Sequence, residues 1–311
     1  MRFGIALESF TPPGKNPSPE SIFESAELAE SLGFDSVWAW DHILLGSRKV
    51  FPVLDTLSTL ASVAARTKRL SLGTSVLIMA LRNPVVLAKV VSTIQYLSGG
   101  RLIIGAASGW YRREFDAAGI DYTKRGRIFE ERFKLVRQLL DSDDVNYDSD
   151  GFLLSHASMQ PRHSERVPML CGGYSEPSLR RAGKISDGWI GYYYPPNDFQ
   201  RAKFVVSRSA MAAVRGDHPL RWVNIVPLAV GSSFEEADAV VKDFTSRYMD
   251  LPRDTPCTPN SGVRGNIKDC VQQVKAYESS GVSDLVFIPC FYEKKYVKIA
   301  GEEILPAVQS G

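Results

Sequence analysis

The sequence has few of the residues from which disulfide frameworks and metal sites are built. Its 311 residues include four cysteines and four histidines. The cysteines are Cys171, Cys257, Cys270 and Cys290, and no pair of them has the spacing of a metal-ligand or redox motif. Buried free thiols in a reducing compartment are the natural interpretation, so we expect a cytoplasmic protein without a metal.

Long apolar runs and an excess of one charge are also missing. No run approaches the ~18 apolar residues that a membrane span requires, and the N-terminus starts as a strand without a secretory leader pattern. The formal net charge is +2, from 37 Lys and Arg against 35 Asp and Glu. This near balance gives no electrostatic reason to expect nucleic acid or an anionic membrane as partner. We therefore expect the partner to be a small molecule.

Short apolar runs alternate with longer amphipathic stretches, which is typical of βα units and a parallel sheet. The predicted strands are Arg2–Ser9, Ser36–His42, Arg69–Ile78, Arg101–Ser108, Pro168–Gly172, Asp187–Tyr193, Trp222–Val230 and Asp284–Cys290. The predicted helices are Pro19–Leu32, Asp55–Arg66, Pro84–Leu97, Arg125–Leu140, Pro177–Lys184, Phe199–Val214, Phe234–Met249, Ile267–Ser280 and Lys294–Val308. An open dinucleotide-binding sheet would place a glycine-rich turn after its first strand, and this chain has none there. The pattern predicts an α/β fold, a closed (β/α)8 TIM barrel in one domain over 1–311. The polar stretch from Asp141 to Arg166 is predicted to be a strand-poor insertion.

Reactive residues of such a barrel lie where its strands end. The second predicted strand ends at Asp41-His42, and an imidazole can act as acid or base near neutral pH. A structural histidine is the competing interpretation. A metal-dependent hydrolase would need several histidines at strand ends, and the other three lie in the insertion or in a loop.

Two further strand ends suit a flat, phosphorylated ligand. The fifth is followed by Gly172-Gly173-Tyr174-Ser175 and then by a helix. Paired glycines and helix-start amides favour a phosphate, although an ordinary turn with Ser175 as N-cap is the commoner use of such a sequence. Small residues at the end of the fourth strand, before Ser108-Gly109-Trp110, leave room for a ligand or ease strand bending.

Four sequence blocks in order resemble the bacterial luciferase-like superfamily of flavin- and deazaflavin-dependent oxidoreductases. The similarity covers nearly the whole chain. Its blocks are Ala29–Trp38 leading to Asp41-His42, Leu72–Leu77, Leu97–Leu102 continuing through Gly109-Trp110 to Glu114-Phe115, and Gly172–Ser175 before Asp187–Trp189.

The resemblance implies a luciferase-like TIM barrel, with insertions, whose cofactor ring lies across the mouth. It implies that His42 lies at the ring with acid–base duty, with Asp41 beside it. The residues that it implies for cofactor binding are Ser75, Val76, Ser108, Gly109, Trp110, Gly172, Gly173, Tyr174 and Ser175. It also implies a cis peptide bond between Ser75 and Val76, and phosphate binding at Gly172–Ser175. The fourth strand end departs from the family's glycine-richer pattern, which puts the ribityl contacts there in doubt.

The expected function is hydride transfer between the deazaflavin coenzyme F420 and a small organic substrate. The blocks at Asp41-His42 and Gly73–Leu77 look more like the deazaflavin-dependent dehydrogenases than like luciferase. Basic residues near the mouth could meet the acidic tail of that coenzyme; they are Arg48, Lys49, Arg112 and Arg113. One alternative is an FMN-dependent monooxygenase served by a separate flavin reductase, and another is a non-catalytic flavin-binding protein. A homodimer is expected from the family, whereas the substrate is not readable.

Overall fold

Eight parallel strands form a closed barrel. The structure is a computed structural model that describes residues 1–46, 49–213, 219–248 and 261–310. In chain order β1 to β8 are Arg2–Ala6, Ser36–Ala39, Ser71–Thr74, Leu102–Ala107, Met169–Gly172, Gly188–Tyr192, Arg221–Val230 and Asp284–Pro289. Strands that follow each other in the chain pair side by side, and β8 returns to pair with β1. The predicted (β/α)8 barrel is confirmed.

Helices cover the outside of the barrel. In chain order α1 to α11 are Pro19–Ser31, Thr56–Arg66, Pro84–Leu97, Arg112–Ala117, Arg125–Asp141, Glu176–Ile185, Pro196–Met211, Phe234–Tyr248, Ile267–Ser279, Lys294–Ile299 and Leu305–Gln309. A π-helical segment, Ala300–Ile304, joins the last two. Side-chain oxygens of Ser18, Asp55 and Asn83 accept backbone N–H groups at the starts of α1, α2 and α3. Such caps satisfy N–H groups that have no partner inside the helix, which is why these helices begin where they do.

The strand ends at the mouth differ from the prediction. The first two strands stop early because the chain there bonds to side chains: the Ser9 hydroxyl accepts the N–H of Trp40 at 2.9 Å. The third predicted strand is two pieces, β3 and a short strand at Leu77–Ile78 that pairs with β4. The Ser75–Val76 peptide bond between the two pieces is cis, as the resemblance implies.

The insertion after α5 is not strand-poor, and that prediction was wrong. Val145–Ser149 and Phe152–Ala157 form an antiparallel hairpin. Asp150 and Gly151 connect its strands, both with positive φ, which is the conformation that a two-residue hairpin turn requires. Unpredicted strands also occur at Leu45–Gly46, Val50–Phe51 and Val263–Gly265. Several residues of the sequence analysis lie outside the described ranges. They are the predicted helix ends at Val214 and Met249, most of the loop Leu251–Gly262 with Cys257, and the residues Arg48 and His218.

A tryptophan fills the barrel interior beside two glycines. Trp38 is fully buried and its Nε1 donates to Ser36 Oγ at 2.9 Å. A Cβ placed on Gly73 would lie 2.2 Å from the indole, and one on Gly4 would lie 2.9 Å from Trp38 Nε1. Only glycine therefore fits at either position, because the indole ring cannot move within a packed core.

A buried ion cluster joins three strands at their amino ends. Asp284 of β8 is 1% exposed and accepts Arg2 Nε at 2.8 Å and Arg2 Nη2 at 2.9 Å. Arg221 at the start of β7 donates to the same carboxylate. Burial alone would raise the pKa of Asp284, but the bonds from Arg2 and Arg221 outweigh it and the pKa is lowered. The carboxylate is therefore held in its charged form.

Candidate active site

The predicted histidine is bonded to a buried glutamate that the sequence argument had left without a role. His42 Nδ1 lies 3.0 Å from Glu114 Oε2, and the Glu114 side chain is fully buried whereas that of His42 is 15% exposed. The other carboxylate oxygen accepts the N–H groups of Ile43 at 2.6 Å and Leu44 at 3.1 Å. Glu114 thus fixes both the imidazole and the backbone that follows it. A ring whose Nδ1 faces a carboxylate presents Nε2 as the group that can exchange a proton.

Asp41 does not partner His42 in this way. Its carboxylate accepts Arg82 Nη2 at 2.6 Å and the N–H of Ile78 at 2.8 Å. Burial opposes ionisation and raises the pKa of Asp41, against the attraction of the Arg82 guanidinium. Consecutive residues of an extended segment point to opposite sides, which is why Asp41 faces inward when His42 faces the mouth. Its contacts tie the end of β2 to the short strand after β3.

The end of β3 meets the end of β5. The Ser75 hydroxyl donates to the carbonyl of Ala39 at 3.1 Å, so β3 is also held to β2. A Cβ on Gly172 would lie 3.1 Å from Val76 Cγ1. The structure therefore brings together Val76 and Gly172, which were predicted separately from two strand ends. The missing side chain at Gly172 lets the Val76 side chain pack against the backbone of β5.

The segment Ser108–Trp110 lies next to His42. The rings of Trp110 and His42 meet edge to face with centroids 5.8 Å apart. Gly109 has φ +82°, and a Cβ there would lie 2.7 Å from Ile78 Cγ2. Arg125 Nε donates to the carbonyl of Gly109 at 3.2 Å, and the Tyr122 hydroxyl to that of Trp110 at 3.0 Å. This turn therefore requires glycine at position 109, and the side chains of Arg125 and Tyr122 hold its backbone carbonyls in place.

The Gly172–Ser175 segment, called the glycine loop below, precedes α6 as predicted. Ser175 is the N-cap of this ten-residue helix and accepts the N–H of Ser178. Gly173 has φ +139°, and a Cβ there would meet Ser178 Cβ at 2.6 Å. The loop thus turns its backbone toward the helix start in a conformation that disfavours any side chain at Gly173. This geometry suits an anion, because helix-start amides point outward there.

An aromatic group lies at the mouth, and the sequence argument gave its central residue, Trp40, no role. Trp40 reaches from β2 to Tyr192 on the opposite strand β6, with ring centroids 5.4 Å apart. Its Nε1 donates to the Tyr292 hydroxyl at 2.8 Å, and Phe10 packs on it edge to face. Glu8, 6% exposed, accepts the Tyr248 hydroxyl at 3.2 Å. The sequence did carry a signal for this carboxylate, since Gly4, Ala6 and Glu8 share one side of the predicted first strand, Arg2–Ser9.

Two of the basic residues predicted for an acidic tail, Arg112 and Arg113, have local partners. Arg112 lies 3.8 Å from Asp116, and Arg113 donates weakly to the carbonyl of Gly46 at 3.4 Å. Within the described ranges no group of three His, Cys, Asp or Glu could hold a metal, and no helix there is long and apolar enough to cross a membrane.

A cavity of about 260 Å³ lies away from the mouth, between α3 and the segment that precedes β5. Its arginines are already paired, Arg166 with Asp141 at 3.0 Å and Arg162 with Asp143 at 2.9 Å. Because it lies at the amino ends of the strands, where barrel enzymes do not place their chemistry, we assign it no part in the site.

Comparison with known proteins identifies the family to which the chain belongs. The model of the luciferase-like monooxygenase family matches residues 1–281. An F420-dependent glucose-6-phosphate dehydrogenase of Amycolatopsis mediterranei is 28% identical over 94% of this chain and 95% of its own length. A 5,10-methylenetetrahydromethanopterin reductase of Methanolobus tindarius is 31% identical over 69% of this chain and 61% of its own length.

Solved structures share the fold at lower identity. An F420-dependent secondary alcohol dehydrogenase, solved with an F420-acetone adduct, superimposes with a TM-score of 0.83 at 18% identity over 99% of this chain and 98% of its own. An EDTA monooxygenase from Chelativorans gives 0.83 at 15% identity over 100% of this chain and 93% of its own. With a family model spanning most of its length, the chain belongs to the luciferase-like monooxygenase family and is an enzyme of the luciferase-like oxidoreductase kind.

Proposed function

We propose that this protein transfers a hydride between coenzyme F420, bound at the barrel mouth, and a small organic alcohol or carbonyl compound. The observation that carries the proposal is the His42–Glu114 pair, with Nδ1 to Oε2 at 3.0 Å, set at the carboxyl end of β2. When bound, the deazaflavin supplies the hydride acceptor or donor and reacts poorly with oxygen. Support for F420 comes from the relative of Amycolatopsis mediterranei, whose name states an F420-dependent glucose-6-phosphate dehydrogenase.

The residues fit such a cofactor at two places. The ring would lie against the meeting point of the β3 and β5 ends, where Val76 is half-buried and Gly172 carries no side chain. The glycine loop and the start of α6 would hold the phosphate. In this proposal the cofactor-binding residues are those predicted from the resemblance, Ser75, Val76, Ser108, Gly109, Trp110, Gly172, Gly173, Tyr174 and Ser175.

The chain's own part in the reaction is to move a proton. When an alcohol carbon loses a hydride, its hydroxyl loses a proton and a carbonyl forms. We assign that proton to His42 Nε2, while Glu114 holds the ring and stabilises the imidazolium. Asp41, which the sequence argument placed with His42 as catalytic, is assigned a positioning role through Arg82 and Ile78. The pair argues against a flavin-binding protein without turnover, since mere binding needs no positioned proton carrier.

The cofactor choice is tested by titrating the purified protein with F420 and, separately, with FMN, following ring fluorescence. We expect binding of F420 in the micromolar range or tighter, with FMN weaker by at least about tenfold, a difference of ~1.4 kcal/mol. Micromolar binding of FMN without binding of F420 would contradict the proposal. It would favour the FMN-dependent monooxygenase, which needs a separate reductase as partner.

We also propose that the protein is a cytoplasmic homodimer, joined through an apolar stripe on α3. Val86, Val90 and Leu97 share one face of this helix and are exposed, Leu97 by 76%. Exposed apolar patches of this kind mark interaction surfaces. The three described cysteines are free, which fits a reducing compartment.

Leu97→Glu is expected to shift the protein from dimer to monomer, because the partner's apolar face would have to bury a charge. Light scattering after size exclusion measures this mass. The matched control is Phe204→Glu on α7, another apolar residue that is 62% exposed, which should leave the mass unchanged. A dimer that survives Leu97→Glu would rule out this face.

A further inference from the structure

A buried tryptophan of β6 forms a hydrogen bond with the backbone of the glycine loop. Trp189 is fully buried, and its Nε1 donates to the carbonyl of Gly173 at 3.2 Å. Gly173 is the residue of the loop with φ +139°. In the planar trans peptide that carries this carbonyl, the N–H of Tyr174 points the opposite way, away from the indole.

The indole itself cannot shift. A Cβ on Gly191 would lie 2.9 Å from Trp189 Cη2, so the ring occupies space that only a glycine leaves free. Phe199 of α7 packs on it with centroids 5.1 Å apart, and Tyr194 meets it edge to face at 5.0 Å. A donor fixed on three sides fixes the carbonyl that it binds.

The same aromatic cluster contacts the glycine loop a second time, at Tyr174. The Tyr174 ring stacks on Tyr194 with an interplanar angle of 16°, and its hydroxyl donates to the carbonyl of Tyr192 at 3.0 Å. Asn224 of β7 in turn donates to the carbonyl of Tyr194 at 2.9 Å. The loop after β5 is therefore braced by the strand and loop of β6.

We propose that Trp189 is a positioning residue for the cofactor phosphate. It fixes the backbone conformation of the glycine loop and does not touch the ligand itself. The inference rests on the proposed function, since it needs a phosphate at this loop. It predicts an energetic coupling between the buried Trp189 N–H and the phosphate group of the ligand. A tryptophan that served only the stability of the barrel would show no such coupling.

The test compares Trp189→Phe with wild type, using two pairs of probes that differ by the phosphate-bearing part. These are FMN against riboflavin, and F420 against its phosphate-free ribityl deazaflavin. The variant keeps an aromatic ring and loses one hydrogen bond, so we expect the phosphate-bearing member of the pair that binds to weaken about five- to tenfold. The phosphate-free member should bind within about twofold of wild type.

Trp38→Phe is the matched control, because it removes the indole N–H bond to Ser36 Oγ from an equally buried tryptophan elsewhere in the barrel. It should leave the phosphate preference as in wild type. If Trp189→Phe does not fold, Phe199→Leu removes the ring that packs on the indole and should show the same selective loss in smaller measure.

Two results would overturn separate claims. Equal weakening of both members of a pair, or no weakening, would overturn the role of Trp189 alone. A wild-type protein that binds the phosphate-free probes as tightly as the phosphorylated ones would instead overturn the phosphate site at the glycine loop, whereas the proposed function is overturned only by the F420 and FMN titration described above.

Discussion

Replacing His42 by alanine is expected to lower turnover at saturating substrate by about 100- to 10,000-fold, the range that a positioned general acid or base contributes. The substitution removes the imidazole that Glu114 holds at the carboxyl end of β2, with His42 Nδ1 3.0 Å from Glu114 Oε2. The dissociation constant of F420 should change less than about tenfold, because the ring and phosphate contacts proposed above lie on other strands. The rate is measured as deazaflavin reduction with the best substrate from a panel of alcohols and sugar phosphates.

His156→Ala is the matched control. His156 also pairs with a carboxylate, Asp144 at 3.1 Å, but it lies on the exposed hairpin of the insertion. Its replacement should leave turnover unchanged. Undiminished turnover in His42→Ala would reduce this histidine to a structural residue and remove the main support for the proton-transfer role.

Asp284→Asn is expected to lower the free energy of unfolding by ~3–5 kcal/mol at neutral pH. The substitution leaves Arg221, whose side chain is 17% exposed, without its charged partner at the amino ends of the strands. Urea unfolding followed by circular dichroism measures the loss. Asp198→Asn is the control, since its pair with Arg201 is solvent-exposed and such pairs contribute only ~0–1 kcal/mol.

The same carboxylate predicts a pH dependence with a definite sign. Arg2 and Arg221 lower the pKa of Asp284 below its ordinary value of 3.8. A group whose pKa is lower in the folded state stabilises it above the unfolded pKa, and this contribution disappears as the pH falls through the folded value. The difference between wild type and Asp284→Asn should therefore shrink on acidification below about pH 4. A difference that is independent of pH would show that Asp284 contributes through packing alone.

The order of strands and helices could be predicted because each element carries its own hydrophobic period and its own caps. The hairpin of the insertion was missed even though Asp150-Gly151 between alternating apolar residues is a turn signal. Only Val145 among its strand residues is classed as buried, so the apolar pattern on which the prediction relied is weak there.

In the site, too, the features that depend on neighbouring residues were predictable, whereas a contact between residues far apart in the chain was not. Glycines at strand ends and the N-cap Ser175 are local features, and their predicted places agree with the structure. The partner of His42 is not local, because Glu114 is 72 positions away and meets it only after the barrel closes. Asp41 illustrates a simpler rule: neighbours in an extended chain face opposite ways, so adjacency to His42 in the sequence does not make the two side chains a pair.

The indole of Trp40 has a consequence for how this mouth can change. It touches Phe10, Tyr192 and Tyr292, so it links the loops after β1 and β8 and the end of β6 to its own strand end. Barrel enzymes usually diversify by altering one loop at a time. Here a substitution in any of these loops alters the packing of one shared side chain, and substitutions in different loops should then have non-additive effects. Libraries that vary these loops together with Trp40 should therefore reach new specificities that single-loop libraries miss.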